Sequence, residues 1–250
     1  MEVHHHPDIQ HETKKWKEYF LEFLMIFLAV VLGFLSENIR EHITDRSKEK
    51  QYIAEFIENI KDDTADLRSV IGFDERQVEG INGMLKLAHA DMASDSNRKL
   101  FYSNALQYLY SETSFKSNDI AFQTLKNTGD FRLIEKDHVA DSLTKYDAEI
   151  HIGYDQAALY DAYFKDITNR LDEMIDMTVL LDTAIFKNGK FIGKTFPKLR
   201  VDNGKLITLF NKIFDFRIIA SAYVENILKP GLANANSLLV FLKKEYNIQD

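Results

Sequence analysis

The sequence predicts an all-α protein in which an N-terminal transmembrane helix is followed by an elongated helical bundle with two long antiparallel helices. One stretch near the N-terminus is apolar on every face, and two later stretches carry apolar residues in alternating steps of four and three positions. Residues that interrupt helices are scarce, since the 250-residue chain has only 10 glycines and 3 prolines. Such a composition favours long helices over a protein of strands and turns.

The composition also limits the classes of function. Hydrophobic residues make up 45% of the chain, which is enough to form a core and disfavours global disorder. The formal net charge of −8 predicts that nucleic acid is not a partner, because phosphate binding needs a basic surface. The absence of cysteine excludes disulfides, thiolate metal sites and a cysteine nucleophile.

The transmembrane helix is predicted at residues 19–36. Its centre, Phe23–Leu35, has thirteen residues without a charge, and adding Tyr19–Glu22 gives seventeen residues with one carboxylate. Seventeen helical residues are about 25 Å long, near the lower limit for spanning a hydrocarbon core of about 30 Å. A signal peptide is disfavoured because no small-residue cleavage site follows. A core helix of a soluble protein is disfavoured because the segment has no polar face.

The rest of the chain is divided around this helix. The predicted domains are, in order, a His-rich tail at 1–18, the transmembrane helix at 19–36, a charged helical stalk at 37–52 and an extramembrane helical bundle at 53–250. Three lysines precede the membrane segment and four basic residues follow it before residue 51, so the positive-inside rule does not decide the orientation. Because a short N-terminal tail usually stays in the cytoplasm, we expect the bundle on the opposite side.

One face of the predicted membrane helix is suited to association with another helix. At three- and four-residue steps it carries Glu22, Met25, Ala29, Gly33 and Ser36. Ala29 and Gly33 form a pair of small residues four positions apart, which lets two helices approach closely. We therefore expect a homo-oligomer, or association with another membrane protein. The Glu22 side chain either reaches the lipid headgroups or is buried between associated helices.

Two apolar stripes predict the long helices of the bundle. The first comprises Ile53, Ile57, Ile60, Thr64, Leu67, Ile71, Asp74, Val78, Ile81, Leu85 and Ala88. The second comprises Val139, Leu143, Tyr146, Ile150, Gly153, Ala157, Tyr160, Phe164, Ile167, Leu171, Met174, Thr178, Leu181 and Ile185. The alternating steps of four and three are those of a helix that buries one seam against a partner, and we expect the two helices to pack antiparallel.

The C-terminal third contains the one long loop. Residues 187–204 hold three glycines and a proline, and the fragments Lys190–Ile192 and Leu199–Val201 are candidates to pair as a small hairpin. A helix is predicted to resume near Lys205. Pro230–Gly231 is predicted to break that helix before a last one closes the chain.

The N-terminal tail contains the only dense group of candidate metal ligands. These are His4, His5, His6 and His11. Adjacent imidazoles bind Zn²⁺, Ni²⁺ or Cu²⁺. A short tail has no core to fix the coordination geometry, so a flexible tract is favoured over a weak metal site, and no cofactor is predicted.

Nothing in the sequence points to catalysis. Asp62, Asp63 and Asp66 form an acidic patch without the glycine of a calcium-binding loop, and they are interpreted as a solvated helix face. No phosphate-binding loop, dinucleotide fingerprint or hydrolase elbow occurs. The sequence therefore predicts a protein that is not an enzyme.

One aromatic-rich segment, Leu100–Tyr110, has two interpretations. Its rings are those of Phe101, Tyr102, Tyr108 and Tyr110. Filling the bundle core is the favoured role, because aromatic side chains dominate the burial of apolar area. The alternative is a pocket for a ligand or a partner between the helices.

Two stretches resemble a known group of proteins. The opening EVHHHPD with KKWKEYFLEFLMIFLAVVLGFLSENIREH resembles an N-terminal module of uncharacterised bacterial single-pass membrane proteins. Phe115–Tyr146, with AFQTLKNTGDFRLI at its centre, resembles a motif of one such family, a domain of unknown function behind an N-terminal transmembrane helix. The resemblance implies a protein of the bacterial inner membrane with a helical domain, which we expect in the periplasm. It implies no activity.

These observations predict a membrane-anchored helical scaffold or partner-binding protein of the bacterial envelope, which self-associates or joins a larger membrane complex. A ligand-sensing bundle that signals through its membrane helix is one alternative. An auxiliary subunit of an ion-driven membrane complex is the other, and it is suggested by the carboxylate of Glu22 inside the apolar segment.

Overall fold

The computed structural model describes residues 15–176, 186–187, 190–191, 196–200 and 203–249. The α-helices are α1 (Trp16–Leu85), α2 (Asp95–Asn104), α3 (Ile120–Thr128), α4 (Asp137–Met174), α5 (Asn203–Tyr223) and α6 (Lys229–Tyr246). A first π turn (Ala105–Leu109) follows α2, a 3₁₀ turn (Asp130–Leu133) follows α3, and a second π turn (Val224–Leu228) joins α5 to α6. Apart from the two-residue strands β1 (Phe186–Lys187) and β2 (Lys190–Phe191), the described elements are helical, which confirms the predicted all-α class.

The chain forms two compact units, Met1–Gln51 and Tyr52–Asp250. The described part of the first unit is the N-terminal stretch of α1. It includes an 18-residue window of mean hydropathy 2.3, of which no residue is buried. Trp16 and Phe34, for example, are 79% and 78% exposed. By length and composition this one helix can cross a membrane.

The core of the second unit begins with the stripe predicted on α1. Ile53, Ile57, Ile60, Leu67 and Ile81 are all at most 2% exposed. A helix of which one stripe is apolar and the rest polar gains stability only by burying that stripe, which explains why these positions face the core. The stripe predicted on α4 is buried at most positions up to Met174.

The predicted antiparallel packing of the two long helices is not what the contacts between α1 and α4 show. Tyr146 donates a hydrogen bond to Asp63, and Tyr160 donates one to Gln77. From the first contact to the second, the position moves fourteen residues toward the C-terminus on both helices, which is about 21 Å along each. The two helices therefore run parallel.

The antiparallel partner of α4 is the C-terminal helix pair. The ring of Tyr160 contacts Tyr223, and the ring of Phe164 contacts Phe216. A later position on α4 therefore meets an earlier position on α5. Further along the pair, Asn234 of α6 donates to Glu149, and His138 pairs with Glu245. The α5–α6 pair also runs antiparallel to α1, through the contacts Asn82–Arg217, Glu75–Lys229 and Arg68–Asn236. Three helical rods, α1, α4 and α5–α6, thus enclose the core.

The connection between α1 and α4 returns along α1, which makes the parallel arrangement possible. Residues 111–119 of this connection are neither helix nor strand. Successive positions of the connection meet α1 in descending order, through the hydrogen bonds Gln77–Ser111, Asp74–Thr113, Asp63–Ser117 and Tyr52–Asp130. Because the chain travels back to the start of the bundle, α4 begins beside the early part of α1 and runs in the same direction.

The predicted break at Pro230–Gly231 is wrong. The chain stays helical from α5 through the second π turn into α6, and Leu228 and Lys229 keep right-handed helical angles. Proline has no amide hydrogen, and its ring displaces the carbonyl four residues earlier, which belongs to Asn226. Because Asn226 lies in the wider π turn, the helix accommodates Pro230 without ending.

The second predicted stripe extends beyond the observed helix. The α4 helix ends at Met174, where Ile175 turns to extended angles and the Met174 carbonyl accepts a hydrogen bond from the Arg200 amide at 3.0 Å. The last predicted stripe positions, Thr178, Leu181 and Ile185, lie outside the described residues.

The predicted hairpin has a different register. Phe186 pairs with Phe191 and Lys187 with Lys190. The strand at 190–191 therefore pairs with the segment just before it in the chain, and not with the later fragment that was expected. Leu199 and Arg200, in the fragment that was expected to pair, are not in a strand. Pairing of segments that are close in the chain costs little loop-closure entropy, which favours the local pairing.

Candidate functional site

Three buried polar side chains of α1 bind the connection at residues 111–119. Asp63, Asp74 and Gln77 are 2%, 0% and 0% exposed. A segment that is neither helix nor strand needs other partners for its polar groups, and burial of those groups without partners is costly. These three side chains supply such partners.

Asp63 accepts three hydrogen bonds. Its carboxylate accepts the Ser117 hydroxyl at 2.6 Å, the Asn118 amide at 2.7 Å and the Tyr146 hydroxyl at 2.8 Å. Burial and the neighbouring Asp63 charge raise the pKa of Tyr146, so the phenol stays protonated and donates. The interpretation of the acidic patch as a solvated face is wrong at this position and fits the other two, which are exposed.

Gln77 ties α4 and the connection to α1. Its amide nitrogen donates to the carbonyls of Tyr108 and Ser111 at 2.7 and 3.2 Å. Its amide oxygen accepts the hydroxyl of Tyr160. All functional atoms of the side chain are therefore used in joining three segments.

Asp74 is buried with fewer partners than Asp63. One carboxyl oxygen accepts the Thr113 hydroxyl at 3.2 Å, and the other is buried without a hydrogen bond. Burial raises the pKa of Asp74 to about 7, and the hydrogen bond from Thr113 opposes this only in part. A carboxyl group that titrates near neutral pH inside a core is unusual, and it links the stability of the bundle to pH.

A cavity of about 240 Å³ lies beside this polar network, between α4 and the junction of α5 with α6. Leu67, Phe115 and Ile150 supply part of its apolar wall. The second π turn and the residues that follow it, including Pro230, form the opposite wall. Pockets between the helices of a bundle are common ligand sites, and π turns occur frequently at functional sites.

Two glycines in helix interiors widen this cavity. Gly153 lies in the middle of α4 and Gly231 near the start of α6, and both line the cavity. A β-carbon at Gly153 would come no closer than 3.7 Å to Ile227, and one at Gly231 would meet nothing within 4 Å. Each glycine destabilises its helix by about 1 kcal/mol relative to alanine. Packing does not require either glycine.

Comparison of this chain with protein-family models, with curated proteins and with solved structures found no match.

The aromatic residues predicted to line a pocket lie mostly in the core. Phe101 and Tyr102 are fully buried, and the Tyr102 hydroxyl has no hydrogen-bond partner. Tyr108 packs directly on Gly80, where a β-carbon would fall 2.0 Å from the ring. Tyr110 donates to Asp172 at 2.7 Å. The cavity described above lies elsewhere, and the sequence analysis did not predict it.

The residues of the predicted association face are exposed on the N-terminal stretch of α1. These are Glu22, Met25, Ala29, Gly33 and Ser36. At Gly33 a β-carbon would meet nothing within 4 Å. The face is therefore uncovered in the single chain.

The predicted histidine cluster, His4, His5, His6 and His11, lies outside the described residues. Among the residues that the structure does describe, no three histidine or carboxylate side chains are grouped so that they could hold a metal ion.

Proposed function

We propose that this protein is a membrane-anchored helical scaffold of the bacterial envelope that binds protein partners and has no enzymatic activity. The observation that carries the proposal is the N-terminal stretch of α1, which is apolar over 18 residues and has none of that window buried. In water, so large an exposed apolar surface would be unfavourable, whereas a bilayer covers it. We place the helix in the inner membrane as a single span and the bundle in the periplasm.

The second unit suits a scaffold because its helical rods are cross-linked by buried polar side chains. Asp63 and Gln77 each join α1 to α4 and to the connection at residues 111–119. Satisfied polar networks in a core favour one arrangement of the helices over alternatives. A unit held in one arrangement can present a fixed surface to a partner.

Self-association is proposed through the face of Glu22, Met25, Ala29, Gly33 and Ser36. Small residues at 29 and 33 allow a second helix to approach closely in lipid, where van der Waals packing supports helix association. The partner is a second copy of this chain, or a membrane helix of another protein in a larger complex.

Cysteine crosslinking in membranes tests the proposed face, and the chain offers a clean background because it has no cysteine of its own. We expect Gly33→Cys to form disulfide-linked dimers severalfold more than Phe34→Cys, because adjacent helix positions point about 100° apart. A second pair, Met25→Cys and Phe27→Cys, repeats the comparison one helical turn or more away. Equal crosslinking within both pairs, or none at any position, would contradict self-association through this face.

A further inference from the structure

Two tyrosines line the cavity between α4 and the α5–α6 junction, and their hydroxyls donate no hydrogen bond to a described residue. Tyr223 is only 6% exposed, lines the cavity, and has no hydrogen bond to another described residue from its hydroxyl. The Tyr154 hydroxyl accepts the Ser117 amide at 2.9 Å and donates to no described residue. A molecule in the cavity that carries an acceptor oxygen can take hydrogen bonds from hydroxyls such as these.

Both phenols remain donors at neutral pH. Burial, followed by the charges of Asp74 and Asp161, raises the pKa of Tyr223 to about 12. Burial also raises the pKa of Tyr154, with the carboxylates of Asp119, Asp63 and others acting in the same direction. An anionic ligand would face the same carboxylates, so the surroundings favour a neutral molecule.

The rest of the cavity is mainly apolar. Among the described residues that line it, Glu149 is the only one with a formal charge, and its carboxylate is engaged by the Asn234 amide at 2.8 Å. Apolar walls with a few convergent donors are typical of sites for small organic molecules.

We propose that this cavity binds a small, neutral, mainly apolar molecule with a hydrogen-bond-accepting oxygen, of the ketone or quinone class, held by the hydroxyls of Tyr154 and Tyr223. The site is separate from the proposed membrane helix, and its existence does not depend on anchoring or on self-association. It also lies away from the aromatic segment Leu100–Tyr110.

The glycines supply an independent argument for an open space. Gly153 and Gly231 weaken their helices, and neither is required by a close neighbour. A methyl group at either position would enter or narrow the cavity. Glycines that cost stability without a packing reason are expected where the space itself is used.

The test is a titration of the full chain in detergent with acetophenone, followed by NMR of ¹³C-labelled tyrosine rings. Single tyrosine-to-phenylalanine variants assign the signals. We expect saturable shifts at Tyr154 and Tyr223 and none at Tyr19. The matched probe is α-methylstyrene, which has the shape of acetophenone but no oxygen, and we expect it to bind about fivefold more weakly or worse. Absence of saturable shifts, or equal affinity for the two probes, would overturn the proposal.

Variants separate binding from folding. Tyr223→Phe should reduce the affinity for acetophenone about fivefold, and Tyr154→Phe should do so too, whereas Tyr102→Phe removes a buried hydroxyl away from the cavity and should leave affinity unchanged. Gly153→Ala should raise the melting temperature and weaken binding. Unchanged affinity in both Tyr223→Phe and Tyr154→Phe, or unchanged affinity in Gly153→Ala, would contradict the site.

Discussion

Asp74→Asn is expected to stabilise the bundle at pH 8 by as much as about 4 kcal/mol and to leave its stability nearly unchanged at pH 4. The wild-type carboxyl has a pKa of about 7 in the folded chain, against 3.8 for an aspartate side chain free in water. Between these values the folded chain keeps a proton that the unfolded chain has lost. Wild-type stability therefore falls as the pH rises from about 4 to 7, and the fall is complete above the folded pKa.

The surroundings of Asp74 explain why the charged form is disfavoured. Thr113 gives it one hydrogen bond from the connection, and its second oxygen has none. From α4 and α5, the phenols of Tyr160 and Tyr223 face it, and its charge contributes to their raised pKa values. The exposed Glu112 is a further negative group near Tyr160. No cation among the described residues pairs with the buried charge, so the variant that is always neutral benefits at high pH.

Urea denaturation of the full chain in mild detergent at pH 4, 6, 7 and 8 measures this effect. The quantity of interest is the difference in free energy of unfolding between Asp74→Asn and wild type at each pH, which cancels the titration of all other groups. Asp66→Asn, at an exposed position of the same helix, is the matched control and should show no such trend. A difference that stays constant over this range would show that Asp74 is ionised or protonated throughout.

Asp63→Ala is expected to destabilise the bundle by about 3–5 kcal/mol, because it leaves two hydroxyls and one backbone amide, all buried or half-buried, without an acceptor. These donors belong to Ser117, Tyr146 and Asn118. The loss also detaches the connection from α1 and removes one of the two contacts that hold α4 parallel to it.

The adjacent carboxylate provides the control for Asp63. Asp62 is exposed and accepts one long hydrogen bond, from the Asn118 side chain at 3.4 Å. Asp62→Ala should therefore change the free energy of unfolding by no more than about 0.5 kcal/mol. Urea denaturation of both variants measures the contrast, and similar losses in the two variants would mean that Asp63 does not act as the acceptor for buried donors.

The sequence predicts the burial of each long helix well, but it does not predict how the helices are arranged. Ile53, Ile60 and Ile81 recur at the period of a helix seam, and that period alone places them in the core. The repeat period does not, however, indicate whether two helices pack parallel or antiparallel. The parallel arrangement of α1 and α4 depends on the return of residues 111–119 along α1, and that return depends on single hydrogen bonds to side chains far away in sequence.

Buried polar residues are the second feature that the pattern does not reveal. Asp63 lies one position before the predicted seam residue Thr64, and a carboxylate there is ordinarily solvated. It is buried because three donors from two other segments converge on it. Asp74 is a polar residue within the apolar stripe of the sequence, but only the structure shows that it lacks a second hydrogen-bond donor.

The cavity is a third feature that the sequence pattern does not reveal. Gly153 and Pro230 are visible in the sequence, and Pro230 suggested a helix break. In the structure a π turn absorbs the proline, and Gly153 faces that turn across the cavity. The glycine inside α4 and the proline and glycine at 230–231 are the signals that the sequence offers for this cavity. Recognising that they lie opposite each other requires the antiparallel packing of α4 against α5–α6.

Alkaline extraction of membranes that contain the full chain tests the proposed membrane anchor most directly. Wild type is expected to stay in the membrane pellet. The double variant Phe27→Arg/Leu28→Arg places two cations at the centre of the apolar segment, which costs about 5–7 kcal/mol of insertion, and it should appear in the supernatant. The control Ile39→Arg/Ile43→Arg alters two comparably exposed apolar residues beyond the segment and should stay in the pellet. Release of wild type, or identical behaviour of the two double variants, would contradict a membrane-spanning helix.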